Sequence, residues 1–157
     1  MPIIPLSHVL SVDDDEDSGE ILALLMKSHQ VAVTTAYSSA EALSRIKSNC
    51  FDLYLLDVWL PGLNGFELCR LIRESDLETP ILFYSGAAYH ADKQKAFAAG
   101  ANAYVAKPDV EGLMETMLAL LNGEKSDDVT ARWVGAQPPS AEGRFASSFF
   151  SLNTASD

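Results

Sequence analysis

The sequence predicts an α/β domain, a doubly wound parallel sheet of five strands flanked by five helices. Two observations carry that expectation. Five short apolar runs alternate along the chain with five segments of helical spacing, which is the βα repeat that builds open parallel sheets. The inner runs, such as LYLL at 53–56 and ILF at 81–83, are apolar without a break, as strands covered on both faces must be.

The first strand is HVLSV (8–12), and Ile21, Leu22, Leu25 and Met26 then mark one face of a helix. VAVTTA (31–36) follows, with Ala42, Leu43 and Ile46 on the second helix. Ahead of that helix, SSAE (38–41) has capping-box spacing: Ser38 caps, and Glu41 reaches back to a free N–H. DLYLLD (52–57) is the third strand, Pro61, Gly62, Asn64 and Gly65 form a loop, and Phe66, Leu68, Leu71 and Ile72 mark the third helix. PILFYS (80–85) leads to a weaker, Ala-rich helix near 90–99 that ends at Gly100. AYVAK (103–107) is the last strand, and Leu113, Met114, Met117, Leu118 and Leu121 form a helix ended by Gly123. Beyond it the composition turns to Ser, Ala and Asp, with Pro138-Pro139 and no sustained period. The domain is therefore expected over 1–123, with 124–157 a flexible tail or linker. Within the tail, Trp133 has no assigned role, and Phe145, Phe149, Phe150 and Leu152 could serve as a short docking segment.

A chain of 157 residues, 48% hydrophobic and 21% charged, has room for one ordinary domain with a real core. Its net charge of −11 argues against direct contact with nucleic acid, which needs clustered Lys and Arg. The start, MPIIPLSHVLSVDDDED, has no basic region and only a broken apolar stretch, and no run reaches transmembrane length. A cytoplasmic protein away from membranes is expected, with Cys50 and Cys69 as reduced, unpaired thiols.

Ligands of open parallel sheets gather at the carboxyl ends of the strands. Strand one ends in Asp13 and Asp14, strand three in Asp57, strand four in Ser85 and strand five in Lys107-Pro108. Crowded carboxylates call for a hard divalent cation, and Mg²⁺ favours a few carboxylates with waters and a phosphate oxygen. A carboxylate can also attack phosphorus to give an acyl phosphate. Such transfer depends on positioning and on neutralising the phosphoryl oxygens. Asp57, isolated at the end of a very apolar strand, is the candidate nucleophile; Asp14, with Asp13 in support, would hold the metal. Lys107 would meet one phosphoryl oxygen as a point charge and the Ser85 hydroxyl another.

VLSVDDDED, LYLLDVWLPGLNG, ILFYSG and AYVAKP resemble, in order and spacing, the signature segments of response-regulator receiver domains of two-component signalling. The resemblance spans roughly residues 8 to 122. It implies a flavodoxin-like sheet of order 2-1-3-4-5, and a signalling module rather than an enzyme, in which Asp57 takes phosphate from a histidine kinase or phosphotransfer protein. It implies metal ligands at Asp14, Asp57 and the backbone carbonyl of Trp59, with Asp13 acting through water. Its switch pair falls on Ser85 and Tyr104: the hydroxyl moves towards the phosphate and the aromatic turns inward. The face of helix four, strand five and helix five would change with them, to bind a downstream protein effector or a second copy of the chain. Trp59 is bulky enough to shield an acyl phosphate and Ala87 has no side chain to orient water, so slow self-dephosphorylation is expected. Gly86 leaves the pocket open.

Each residue also has a plainer reading. Tyr104 reads equally as core filling, and His8, His29 and His90 show no ligand spacing. Asp15, Glu16 and Asp17 read as solvated acids meeting the dipole of the first helix. A calcium loop starting at Asp13 or Asp14 places Leu24 or Leu25 where the bidentate Glu belongs, so it fails. The alternative from another class is a Mg²⁺-dependent phosphohydrolase with an aspartyl-phosphate intermediate; Trp59, two after Asp57, supplies no general acid for it.

Overall fold

The computed structural model describes residues 7–87 and 89–125. The part of the expected tail from 126 onwards, including Trp133 and the segment 145–152, lies outside them. The strands are β1 (Ser7–Val12), β2 (Val31–Ala36), β3 (Leu53–Leu56), β4 (Ile81–Ser85) and β5 (Ala103–Ala106). The helices between and after them are α1 (Glu16–Lys27), α2 (Ser39–Ser48), α3 (Gly65–Ser75), α4 (His90–Ala99) and α5 (Val110–Leu121). All strand pairs are parallel, in the order β2-β1-β3-β4-β5.

Alternation along the strands sorts their side chains into two cores. Leu10, Val12, Leu56, Phe83 and Tyr104 face α2, α3 and α4, where they meet Ala42, Leu68 and Ala96. Val9, Leu53, Leu55, Leu82 and Val105 face α1 and α5, where they meet Leu22, Met26, Leu113 and Met117. Burying each large aliphatic or aromatic chain contributes about 1.5–3 kcal/mol. The strand order reverses between β1 and β3, and the crevice beyond their carboxyl ends is where such a sheet binds ligands.

Local details differ from expectation in instructive ways. On α1 the buried stripe is Gly19, Leu22 and Met26, whereas Ile21 (57%) and Leu24 (73%) are largely exposed. A Cβ on Gly19 would lie 2.6 Å from Thr35 Cγ2, so the helix rolls to bring its glycine onto β2 and turns Ile21 outward. Asp15 is more than a solvated acid: it caps α1, accepting from the Asp17 N–H at 3.1 Å and the Ser18 hydroxyl at 2.8 Å. Ser38 caps α2 through the Glu41 N–H at 3.1 Å, and Glu41 reaches back one residue further than a capping box requires, to the Tyr37 N–H at 2.9 Å. The reciprocal box instead stands on α3, between Asn64 and Glu67.

Candidate functional site

Asp13, Asp57 and Lys107 each sit one step past a strand end and are tied to the neighbouring strand. The Asp13 N–H donates to the Ala36 carbonyl at 3.1 Å, the Asp57 N–H to Val12 at 3.0 Å, and the Lys107 N–H to Ser85 at 2.9 Å. These bonds prolong the parallel ladders, so the side chains spring from the rigid sheet edge rather than from free loops.

Asp13, Asp14 and Asp57 each present a carboxylate oxygen, all within 4.8 Å of one another. Asp57 is buried, Asp13 half-buried and Asp14 exposed. Lys107 Nζ donates to Asp13 Oδ2 at 2.6 Å and to Asp57 Oδ2 at 3.0 Å. Burial by itself would lower the Lys107 pKa, but the hydrogen bonds and charges of the two aspartates together raise it above the ordinary lysine value. Asp13 Oδ1 accepts from the Asp15 N–H at 3.0 Å, and Asp57 Oδ1 receives the Trp59 N–H at 3.4 Å. Three carboxylates thus face one ammonium, leaving excess negative charge and hard oxygen donors, the set that suits a small divalent cation.

Comparison with known proteins decides the family. The family model of the response regulator receiver domain matches residues 9–118. The chain belongs to that family. An uncharacterised transcriptional regulatory protein of Bacillus subtilis, YkoG, is 35% identical to it over 78% of this chain and 55% of its own length. The chain spans only about half the length of the curated relatives it matches. Among solved structures, a two-component response regulator from Clostridium difficile is 27% identical with a TM-score of 0.71, covering 74% of this chain and 97% of that one. The Thermotoga maritima response regulator TrrA, solved in complex with Mg²⁺–BeF, is 27% identical with a TM-score of 0.66, covering 73% and 99%.

Two of the remaining expected residues of this receiver domain, Ser85 and Tyr104, fall on the sheet face covered by α2, α3 and α4. Ser85 is fully buried, its oxygen accepting from the Ala87 N–H at 3.3 Å. Tyr104 already lies inward, stacked on Phe83 with ring centroids 5.9 Å apart, and its hydroxyl donates to the Ala87 carbonyl. The Trp59 side chain is 69% exposed. No helix among the described residues is long and apolar enough to cross a membrane.

Two residues at the site were not singled out from sequence. Gly65 opens α3 directly against the Asp57 carbonyl, and a Cβ there would fall 2.1 Å from that oxygen. Tyr84 lies under Lys107, whose Nζ is 5.6 Å from the ring centroid. The first stood among turn residues and the second inside an apolar run, so neither carried a local signal of its own.

Burial pushes the Tyr104 hydroxyl up to about 12, aided by the charges of Asp92 and Asp57 and opposed by its bond with Ser85. Burial and Asp76 push Tyr54 up to about 12 as well. A phenol raised in the folded state keeps its proton there at a pH where the unfolded chain has lost it. Its stabilisation is complete below the ordinary value of 10.0 and lost as pH rises towards about 12. Thermal melts between pH 9 and 12 should therefore show a steep fall in Tm, shallower in Tyr104→Phe. An equal slope in the variant would remove Tyr104 from the effect.

Proposed function

We propose that this receiver domain is the phosphoacceptor of a two-component or phosphorelay system, with Asp57 as the acceptor. The observation that carries the reading is the convergence of Asp13, Asp14, Asp57 and Lys107 on one sheet edge, with Lys107 bridging two of the acids. Asp14 and Asp57, the Trp59 carbonyl and, through water, Asp13 would hold Mg²⁺. When bound, the ion would neutralise phosphoryl oxygens and so assist the transfer. An Asp57 oxygen attacks phosphorus, forming the acyl phosphate as the bond to the donor's histidine nitrogen breaks and that nitrogen leaves with the electron pair. Lys107 follows the developing charge to one phosphoryl oxygen, and the Ser85 hydroxyl turns to another. The buried Tyr104 hydroxyl, bonded to Ala87, links that movement to the β4–α4 connection. The donor would be a histidine kinase or phosphotransfer protein. The output would be a protein effector, or a second copy of the chain, on the face of α4, β5 and α5, where Tyr89, Phe97 and Val110 are exposed.

The test is intact mass after incubation with Mg²⁺ and acetyl phosphate. One phosphoryl adduct is expected, absent in Asp57→Ala and without Mg²⁺. Rapid turnover of unrelated phosphomonoesters would favour the hydrolase instead. Mg²⁺ alone should raise Tm by mass action, an effect lost in Asp14→Ala. The adduct should be long-lived, and Trp59→Asn should shorten its half-life by roughly tenfold, equivalent to about 1.4 kcal/mol of barrier. An unchanged half-life would remove Trp59 as the shield.

A further inference from the structure

We propose that Tyr84 is a positioning residue for Lys107, its ring holding the ammonium at the acidic pocket so that the cation is in place when a phosphoryl group arrives. The 5.6 Å from Nζ to the ring centroid lies within cation–π reach. Both partners are held by the sheet. Tyr84 pairs with Val105 and Ser85 with Ala106, and the Lys107 N–H then closes on the Ser85 carbonyl at 2.9 Å. The distance between the root of Lys107 and the ring is thereby set by two adjacent strands. Tyr84 precedes Ser85 on β4, so its ring projects from the opposite sheet face to the Ser85 hydroxyl. It approaches Lys107 from the α1–α5 side while Ser85 serves the other.

The surroundings strengthen the contact. Tyr84 is half-buried and lines a cavity of about 30 Å³ together with Asp13, Asp57, Ser11, Leu22 and Leu113. In a site this shielded, the ring quadrupole acts on the ammonium through less water than at an open surface. The two carboxylates that now hold Lys107 are also the groups a cation or a phosphoryl group would engage. The ring is not. Its grip on the flexible lysine therefore persists when Asp13 and Asp57 change partners, a role an aliphatic side chain of similar bulk could not fill.

This inference rests on Asp57 as the phosphoacceptor, and its test separates the two. Phosphorylation of the full chain by acetyl phosphate with Mg²⁺ would be timed by intact mass in wild type, Tyr84→Phe and Tyr84→Leu, each made with and without Lys107→Ala. Tyr84→Phe keeps the ring and should stay within about twofold of wild type, whereas Tyr84→Leu should slow uptake about fivefold. In the Lys107→Ala background Tyr84→Leu should add nothing, because the interaction is already gone. Proton NMR gives a readout free of phosphate: the Lys107 ε-methylene should be shifted upfield by the ring in wild type and Tyr84→Phe. Equal slowing with and without Lys107, a Tyr84→Phe as slow as Tyr84→Leu, or no upfield shift in wild type would each overturn the role. Should Tyr84→Leu not fold, the Tyr84→Phe rate and the wild-type shift still decide it. A wild type that takes up no phosphoryl group removes the phosphoacceptor reading, and the ring shift then tells whether Tyr84 holds Lys107 at all.

Discussion

Gly65→Ala is expected to lower stability by about 3 kcal/mol and slow phosphoryl uptake by roughly 100-fold. The cause is a contact no side chain can share. A Cβ at this position would stand 2.1 Å from the Asp57 carbonyl oxygen and 3.0 Å from Phe83 Cε1. The Gly65 N–H also donates to the Val58 carbonyl at 2.8 Å, drawing the start of α3 against the loop that carries the acceptor. Helix and loop would have to part, and because Asp57 hangs from the same peptide, its carboxylate would shift away from Lys107. Displacements of about 1 Å at a reacting centre can cost roughly 100-fold in rate. Urea unfolding and timed mass spectrometry with acetyl phosphate measure the two effects separately. A variant with full stability and full uptake would show that the close approach is dispensable.

The contrast between Gly65 and Asp57 explains what was legible in the sequence. Asp13, Asp14, Asp57 and Lys107 could be placed together because each follows an apolar run, and topology brings strand ends to one edge. The five elements of each kind were readable for the same reason, since period and continuity are local properties of the chain. Contacts between distant segments leave no such trace. Gly65 reads as a turn glycine until α3 is seen against the Asp57 peptide, and Tyr84 as one more apolar strand residue until Lys107 is seen above it. The capping box Asn64-Gly65-Phe66-Glu67 did leave a trace, the same i to i+3 spacing recognised at Ser38. It was hidden by the turn residues around it. On α1, Ile21 and Leu25 fit the period as well as Leu22 and Met26, and only the close seat of Gly19 on Thr35 chooses between the faces.

Arg73 is the second residue whose importance is visible only in three dimensions, and Arg73→Ala should destabilise the domain by about 3 kcal/mol, lowering Tm by roughly 10 °C. Its guanidinium joins three segments at the edge of the sheet away from the acidic site. Nε donates to the Gly100 carbonyl at 2.9 Å, Nη1 to Asp76 at 3.0 Å and Thr79 at 2.8 Å, and Nη2 to Asn102 Oδ1 at 2.8 Å. Asn102 Oδ1 accepts in turn from the Ile81 N–H at 2.9 Å, so the network fixes the start of β4 and the approach to β5. The left-handed Gly100 that ends α4 makes room for it, because a Cβ there would meet Arg73 Cγ at 2.7 Å. Truncation strips donors from several half-buried acceptors at once. Lysine should recover only a minor share, since an ammonium cannot span the same fork of acceptors. The lesion lies at the opposite end of β4 from Ser85, so folded Arg73→Ala at low temperature should take up a phosphoryl group at close to the wild-type rate. Loss of Tm with retained uptake separates this staple from Gly65, where both must fall together. A variant that melts like wild type would mean that water replaces the guanidinium at no cost.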